Sequence, residues 1–229
     1  NDMEAMGKGL GMVDPKDVVP VLFGDAKCPD HNDKLPVGGE KVVGLLVPGT
    51  GLGEAFIIGE EVMASEGGHC DFGPQDRLQA ELWDFLYREE GHVSYERILS
   101  GEGFCRLVRF LMDEKGIDQS VFPLVPEVIT KRAMEGNDEL CISAVRLFAS
   151  VLGAEAGNLA LKTMALGGIY LGGNIVKDIL PLLQSACFSE GFLGKGRFST
   201  LMKTIPVYAV LDTDTVLFGS ARMAAELGR

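Results

Sequence analysis

The stretch 42-VVGLLVPGTGLGEAFIIGEEVMAS-65 decides how the rest of the chain is read. Residues 42–47 form a short apolar run closed by Pro48-Gly49, and residues 54–65 alternate around Gly59-Glu60, so the spacing predicts three strands in a meander. Between the first two sits Gly49-Thr50-Gly51-Leu52-Gly53. A dinucleotide fingerprint needs G-x-G-x-x-G opening a helix. Here Glu54 stands where the third glycine belongs and a strand follows, which makes a Rossmann reading poor. What remains is a glycine-rich hairpin turn. Its backbone N–H groups can face an anion, and Thr50 adds a hydroxyl donor for a phosphate oxygen. Taken alone, the stretch reads more simply as a plain tight hairpin.

Outward from the meander the period becomes helical. In 74-PQDRLQAELWDFLYREEG, Leu78, Leu82, Phe85 and Leu86 share one face while Asp76, Gln79 and Glu89 lie elsewhere. Further helices are expected at 94-SYERILSG, 103-GFCRLVRFLMDEKG and 125-VPEVITKRAMEG, and a long central one in 138-DELCISAVRLFASVLGAEAGNLALKTMA, apolar on more than one side. Then 167-GGIYLGGNIV reads as a buried strand closed by glycines, 177-KDILPLLQ as a helix, 205-IPVYAVLD as a strand and 215-TVLFGSARMAAELG as a closing helix. Residues 1–12 look helical, and 24-GDAKCPDHNDKLPVGGE is a polar excursion read as a surface loop or ragged hairpin. Strands with intervening helices make an α+β fold, layered as in α/β proteins.

Composition narrows the function classes. With 33 acidic against 21 basic residues the net charge is -12, which argues against nucleic acid or an anionic membrane surface as a partner. Five scattered cysteines, Cys28, Cys70, Cys105, Cys141 and Cys187, suit neither a disulfide framework nor a zinc cage. Reduced thiols and a cytoplasmic protein are the expectation. No apolar run is long enough to span a bilayer uninterrupted.

The second candidate site is 65-SEGGHCDF, where Glu66 and His69 stand three residues apart across two glycines. In a loop, both side chains can converge on one small polar ligand. Vicinal sugar hydroxyls, each donor and acceptor, match a carboxylate that accepts and an imidazole that does either. A metal is the rival ligand, but one His and two acids without a second His or Cys make a thin zinc set. His31 and His92 read as structural, and Glu96 falls in the first turn after a Ser94 cap, where the helix dipole favours a carboxylate. Glycines 172 and 173, at the end of a buried strand, allow a flat ligand such as adenine to approach closely, or simply a helix to pack.

The order of these signals is more specific than any one of them. Asn1-Asp2, then P-G-T-G-L-G, E-G-G-H-x-D-F, G-H-V-S-x-E-R-x-L-S-G, G-G-I-Y-L-G-G-N-I-V and I-P-V-Y resembles the bacterial-type glucokinases of the hexokinase/actin-like ATPase superfamily, through nearly the whole chain. The resemblance implies a ribonuclease H-like/actin-like ATPase large domain: a mixed sheet packed with several helices. It also implies an ATP-dependent kinase for glucose, with magnesium carried by the nucleotide and no protein metal site. Asn1, Glu66, His69 and Glu96 match the sugar ligands, Asp2 the catalytic base, Gly49, Thr50 and Gly51 the second phosphate loop, and Gly172 and Gly173 the adenosine motif. A kinase for another hexose and a sugar-sensing regulator are the alternatives, and a homodimer is left open. The superfamily's first phosphate loop, of D-x-G-G-T type, does not occur in this sequence. The expectation is therefore a large domain at 13–212, with 1–12 and 213–229 as helices that would pack on a smaller domain not contained in the chain.

Overall fold

The computed structural model describes residues 2–22 and 39–227; the polar excursion at 24–40 therefore lies largely outside the described residues. The meander forms as its alternation requires: β2 (Val43–Pro48), β3 (Leu52–Ile58) and β4 (Glu61–Ser65) pair antiparallel, Pro48 opposite Leu52 and Glu54 opposite Ser65. Three further strands complete one sheet: β1 (Val18–Leu22), β5 (Ile169–Leu171) and β6 (Val207–Val210), in the order β1-β6-β5-β2-β3-β4. β2, β5 and β6 run parallel, so their carboxyl ends share one edge, while β1 is antiparallel to β6.

Among the described residues eleven helices accompany the sheet. α1 (Asp2–Leu10) precedes it; α2 (Arg77–Glu90), α3 (Tyr95–Ile98), α4 (Gly101–Glu114), α5 (Pro126–Glu135) and α6 (Glu139–Thr163) follow the meander; α7 (Asn174–Asp178), α8 (Leu180–Leu183), α9 (Ala186–Leu193) and α10 (Ser199–Met202) join β5 to β6; and α11 (Thr215–Leu227) closes the chain. Local chemistry sets their ends. Asp138 caps α6 by accepting from Leu140 and Cys141 N–H, Asp76 caps α2 through Gln79 N–H at 2.8 Å, and Pro126 opens α5.

The sheet's side chains alternate between two cores. Leu46 and Leu52 point to the larger one, with α4, α6 and α9, whereas Leu45, Ala55, Ile57, Tyr170 and Tyr208 point to a smaller one under α1, where Met3, Met6 and Leu10 are buried. α6 is long and apolar enough to cross a membrane by length and composition, but 78% of that window is buried inside the protein, so its apolar faces are used by the core. On the other face α1 crosses α11 at two glycines. A Cβ on Gly9 would overlap Thr215 O, and one on Gly219 would overlap Ala5 O, so the two backbones touch.

Several expectations change. The run at 167–176 is a strand only over Ile169–Leu171; Gly173 takes φ +94° and turns the chain into α7 at Asn174. The helix read at 177–184 is two short ones, α7 and α8, broken at Ile179. β1 was not legible because Pro20 interrupts its apolar run; as an edge strand it tolerates the missing N–H. α9 and α10 also lie outside the sequence reading. In α2, Leu78 is exposed and Gln79 is buried, its amide donating to Ser150 Oγ at 3.1 Å. Ser94 occupies the cap position of α3 without a side-chain cap bond.

Candidate active site

Ligands of open α/β sheets bind outside the carboxyl ends of the parallel strands, and this edge gathers the glycine turns. The turn after β2 is tight, Gly49 N–H donating to Gly51 O at 2.8 Å, and Gly49 O accepts from Gly101 N–H of α4 at 2.9 Å. Thr50 stands exposed at its tip. The turn after β5 lies beside it: a Cβ on Gly173 would come within 2.9 Å of Pro48 O, and φ there is +94°, so both space and backbone require glycine. Gly172 is covered by the Met6 methyl, and Met3 lies against Gly53. These two methionines seat α1 on the same edge, and Asp2, its first residue, is exposed. Asn1 lies outside the described residues.

The loop after β4 turns through a single 3-10 turn, Gly67–His69, with Glu66 at its start. His69 is the hub of the candidate sugar ligands: Nε2 is 3.9 Å from Glu66 Oε2 and Nδ1 is 3.7 Å from Glu96 Oε1. Both gaps exceed a hydrogen bond. The three groups thus stand close together without consuming one another's hydrogen-bonding capacity. Glu96 enters from the first turn of α3, and its other oxygen, Oε2, accepts from Leu52 N–H at 3.0 Å. The side chain therefore joins the glycine hairpin to the Glu66–His69 cluster. A Cβ on Gly51 would overlap that same oxygen.

The structure thus brings Glu66, His69 and Glu96 together beside Gly49, Thr50 and Gly51, with Gly172 and Gly173 on the neighbouring turn. His92 stands apart, its Nε2 2.9 Å from Asp71 Oδ1. Three residues that support the cluster escaped the sequence reading. Tyr95 OH accepts from Asn158 at 2.9 Å, and Asn158 Oδ1 accepts from Lys195 Nζ at 2.6 Å, tying α3 to α6 and to the segment after α9. Burial pushes the Tyr95 hydroxyl up to about 12, with the Glu155 charge as the second cause. One signal was available for a fourth residue, Glu54: a charged side chain in the inward register of a strand, between Leu52 and Phe56.

A sheet of this order, with helices on both faces and glycine turns at its parallel edge, is that of the sugar kinases of the actin-like ATPase fold. The solved structure of a glucokinase from an Antarctic psychrotroph superposes with TM-score 0.85 at 30% identity, over 99% of this chain and 67% of that one. A glucokinase from Balamuthia mandrillaris, solved with glucose, shares the fold with TM-score 0.78 at 24% identity, over 98% of this chain and 64% of that one. The glucokinase family model matches residues 1–227, and the glucokinase of Nostoc sp. is 34% identical over 99% of this chain and 70% of its own length. The chain belongs to the glucokinase family, whose reaction is ATP-dependent phosphorylation of glucose.

Proposed function

We propose that the edge of the sheet described above is the site of that reaction, with each residue in a definite role. Glu66, His69, Glu96 and Asn1 hold the sugar hydroxyls. Gly49, Thr50 and Gly51 offer donors to the ATP phosphates, and Gly172 and Gly173 make room for the adenosine. Asp2 takes the proton of the 6-hydroxyl as that oxygen bonds to the γ-phosphorus; the bond to the β-phosphate oxygen breaks and ADP departs. Phosphoryl transfer asks chiefly for alignment and charge neutralisation, which these groups supply by position. The observation that carries the proposal is the double role of Glu96. One carboxylate oxygen is fixed by the phosphate hairpin at Leu52, and the other faces His69 in the sugar cluster.

Magnesium belongs to the proposal as an ion held on the ATP phosphates. Among the described residues no group of three or more His, Cys, Asp or Glu stands close enough together to hold a metal ion. Residues 13–212 as the large domain, with 1–12 and 213–229 as helices against a smaller one, are supported by the exposed apolar Met12, Val216 and Leu217 on or beside the α1–α11 pair. The cytoplasm as the site of action fits the free thiols of Cys70, Cys105, Cys141 and Cys187, and the net charge of -12 speaks against nucleic-acid or membrane partners. A homodimer is tested by light scattering.

The test of the reading is a sugar panel with ATP, using the complete gene product that carries this chain. The highest kcat/KM is expected for glucose, with 6-phosphate as the product. A higher value for mannose, fructose or N-acetylglucosamine would overturn the assignment of the hydroxyl contacts.

A further inference from the structure

Beneath the sugar cluster lies a buried group of titratable side chains that the reaction does not use. Glu54 projects from β3 toward α6, is 2% exposed, and its Oε1 has no hydrogen-bond partner among the described residues. Facing it is Glu155 of α6, 0% exposed. Both oxygens of Glu155 are engaged: Oε2 accepts from Asn158 Nδ2 at 2.8 Å, and Oε1 is 3.4 Å from Lys162 Nζ. Two carboxyls buried side by side cannot both ionise cheaply. The partners select Glu155 as the charged member and leave Glu54 as the neutral one. Burial first, and the Glu155 charge second, push Glu54 up to about 8, while Lys162 opposes them.

The roof of this compartment is the sugar loop. Gly67 lies directly over Glu54, since a Cβ there would overlap Glu54 Oε2. Ser65 stitches the two together: its hydroxyl donates to Glu54 O at 3.3 Å and accepts from Gly67 N–H at 3.2 Å. One wall is Tyr95, the residue before Glu96, held to Glu155 through their shared partner Asn158. Glu66, His69 and Glu96 all sit within two residues of a group that lines the compartment.

We propose that Glu54, as a neutral acid, is a positioning residue of the glucose site: it seats the 66–69 loop, and its ionisation, which places two carboxylates side by side in the buried interior, displaces that loop and weakens glucose binding without slowing phosphoryl transfer. The inference rests on the assignment of Glu66, His69 and Glu96 as hydroxyl ligands. The charged and titratable groups that meet Glu54 or its partner are Glu155 and Lys162 from α6, Lys195 from the segment after α9 and Tyr95 from α3, while the exposed Glu66 and His69 flank Gly67 in the loop above. β2 contributes none, and α1, with Asp2 and Glu4, lies on the opposite face of the sheet.

The test is the pH profile of glucose KM and of kcat between pH 7 and 9.5, at saturating ATP, on the complete gene product. In the unsubstituted protein, KM is expected to turn upward near pH 8 and to reach about tenfold its neutral value one pH unit beyond the midpoint, as a single ionisation requires, with kcat level. Glu54→Gln keeps the shape of the neutral acid and is expected to hold the low-pH KM across the range. Lys162→Met, on a half-exposed residue, removes the cation that favours ionisation and is expected to move the upturn to higher pH. A level KM in the unsubstituted protein, an upturn that persists in Glu54→Gln, or one that stays in place in Lys162→Met would overturn the inference. Glu66→Gln and His69→Ala are assayed beside them. If neither raises glucose KM, the sugar-site assignment itself fails; if they raise it while Glu54→Gln keeps the upturn, only the role of Glu54 fails.

Discussion

Replacing Gly51 by Ala is a change in the proposed phosphate hairpin whose effect should be read at the sugar. Gly51 does not have a positive φ, so the backbone accepts alanine without strain, and the consequence is confined to the new methyl. That methyl would overlap Glu96 Oε2, the oxygen that accepts from Leu52 N–H at 3.0 Å. A flexible carboxylate yields before a paired hairpin does, so Glu96 swings out. Two losses follow. Leu52 N–H loses a charged acceptor, worth about 1.5–3 kcal/mol, which lowers Tm by about 2–4 °C for each kcal/mol. The carboxylate also leaves the sugar hydroxyl it is proposed to hold; a similar charged hydrogen bond, at 1.4 kcal/mol per decade, raises glucose KM about 10- to 150-fold. The assay is steady-state kinetics with each substrate varied in turn, and ATP KM is expected to change far less than glucose KM. A glucose KM within twofold of the unsubstituted value, or a change confined to ATP, would refute the coupling of the hairpin to the sugar through Glu96.

Asp2→Asn is expected to cut kcat by about 10²- to 10⁴-fold while glucose KM stays within a few-fold, because a base acts in the transition state; equal losses in both, measured by steady-state kinetics, would remove Asp2 from the role. Gly219→Ala drives a methyl into the Ala5 carbonyl, where backbone rather than a flexible side chain must move. Overpacking of this kind costs about 1–3 kcal/mol, so a thermal melt should fall by about 2–12 °C. Glu54 also imprints stability. In the fold it stays neutral up to about 8, whereas the unfolded chain releases its proton near 4.5, so between these values the unfolded state binds fewer protons and stability falls as pH rises, by up to about 1.4 kcal/mol per unit. Denaturant melts of Glu54→Gln should lack that slope, and its advantage over the unsubstituted protein should widen from pH 5 to pH 8 and then level.

Periodicity carried the meander and the long α6 into view, because the strands are short apolar or alternating runs closed by tight turns and the helix is apolar and buried over most of its length. The short strands and helices between residues 169 and 202 left none. β5 is three residues long, and its end is set by the left-handed turn at Gly173 packed on Pro48 O, a contact that sequence spacing does not encode. The candidate ligands Glu66 and His69 were legible as a local loop motif. That Glu96 would meet them was not readable from spacing, since it arrives from 27 positions away on a helix whose placement depends on Tyr95 and Asn158. Glu54 showed only as an oddity in a strand's inward register, and its partner Glu155 was hidden in a helix that reads as apolar.

The most direct test of the account is a crystal structure of the complete gene product with glucose bound. The glucose hydroxyls are expected within hydrogen-bonding distance of Glu66, His69 and Glu96, with the 6-hydroxyl turned toward Asp2 and the Gly49–Gly51 turn open beside it. Glucose seated elsewhere, or held here with its 6-hydroxyl directed away from Asp2, would contradict the assignment of this edge of the sheet as the catalytic site.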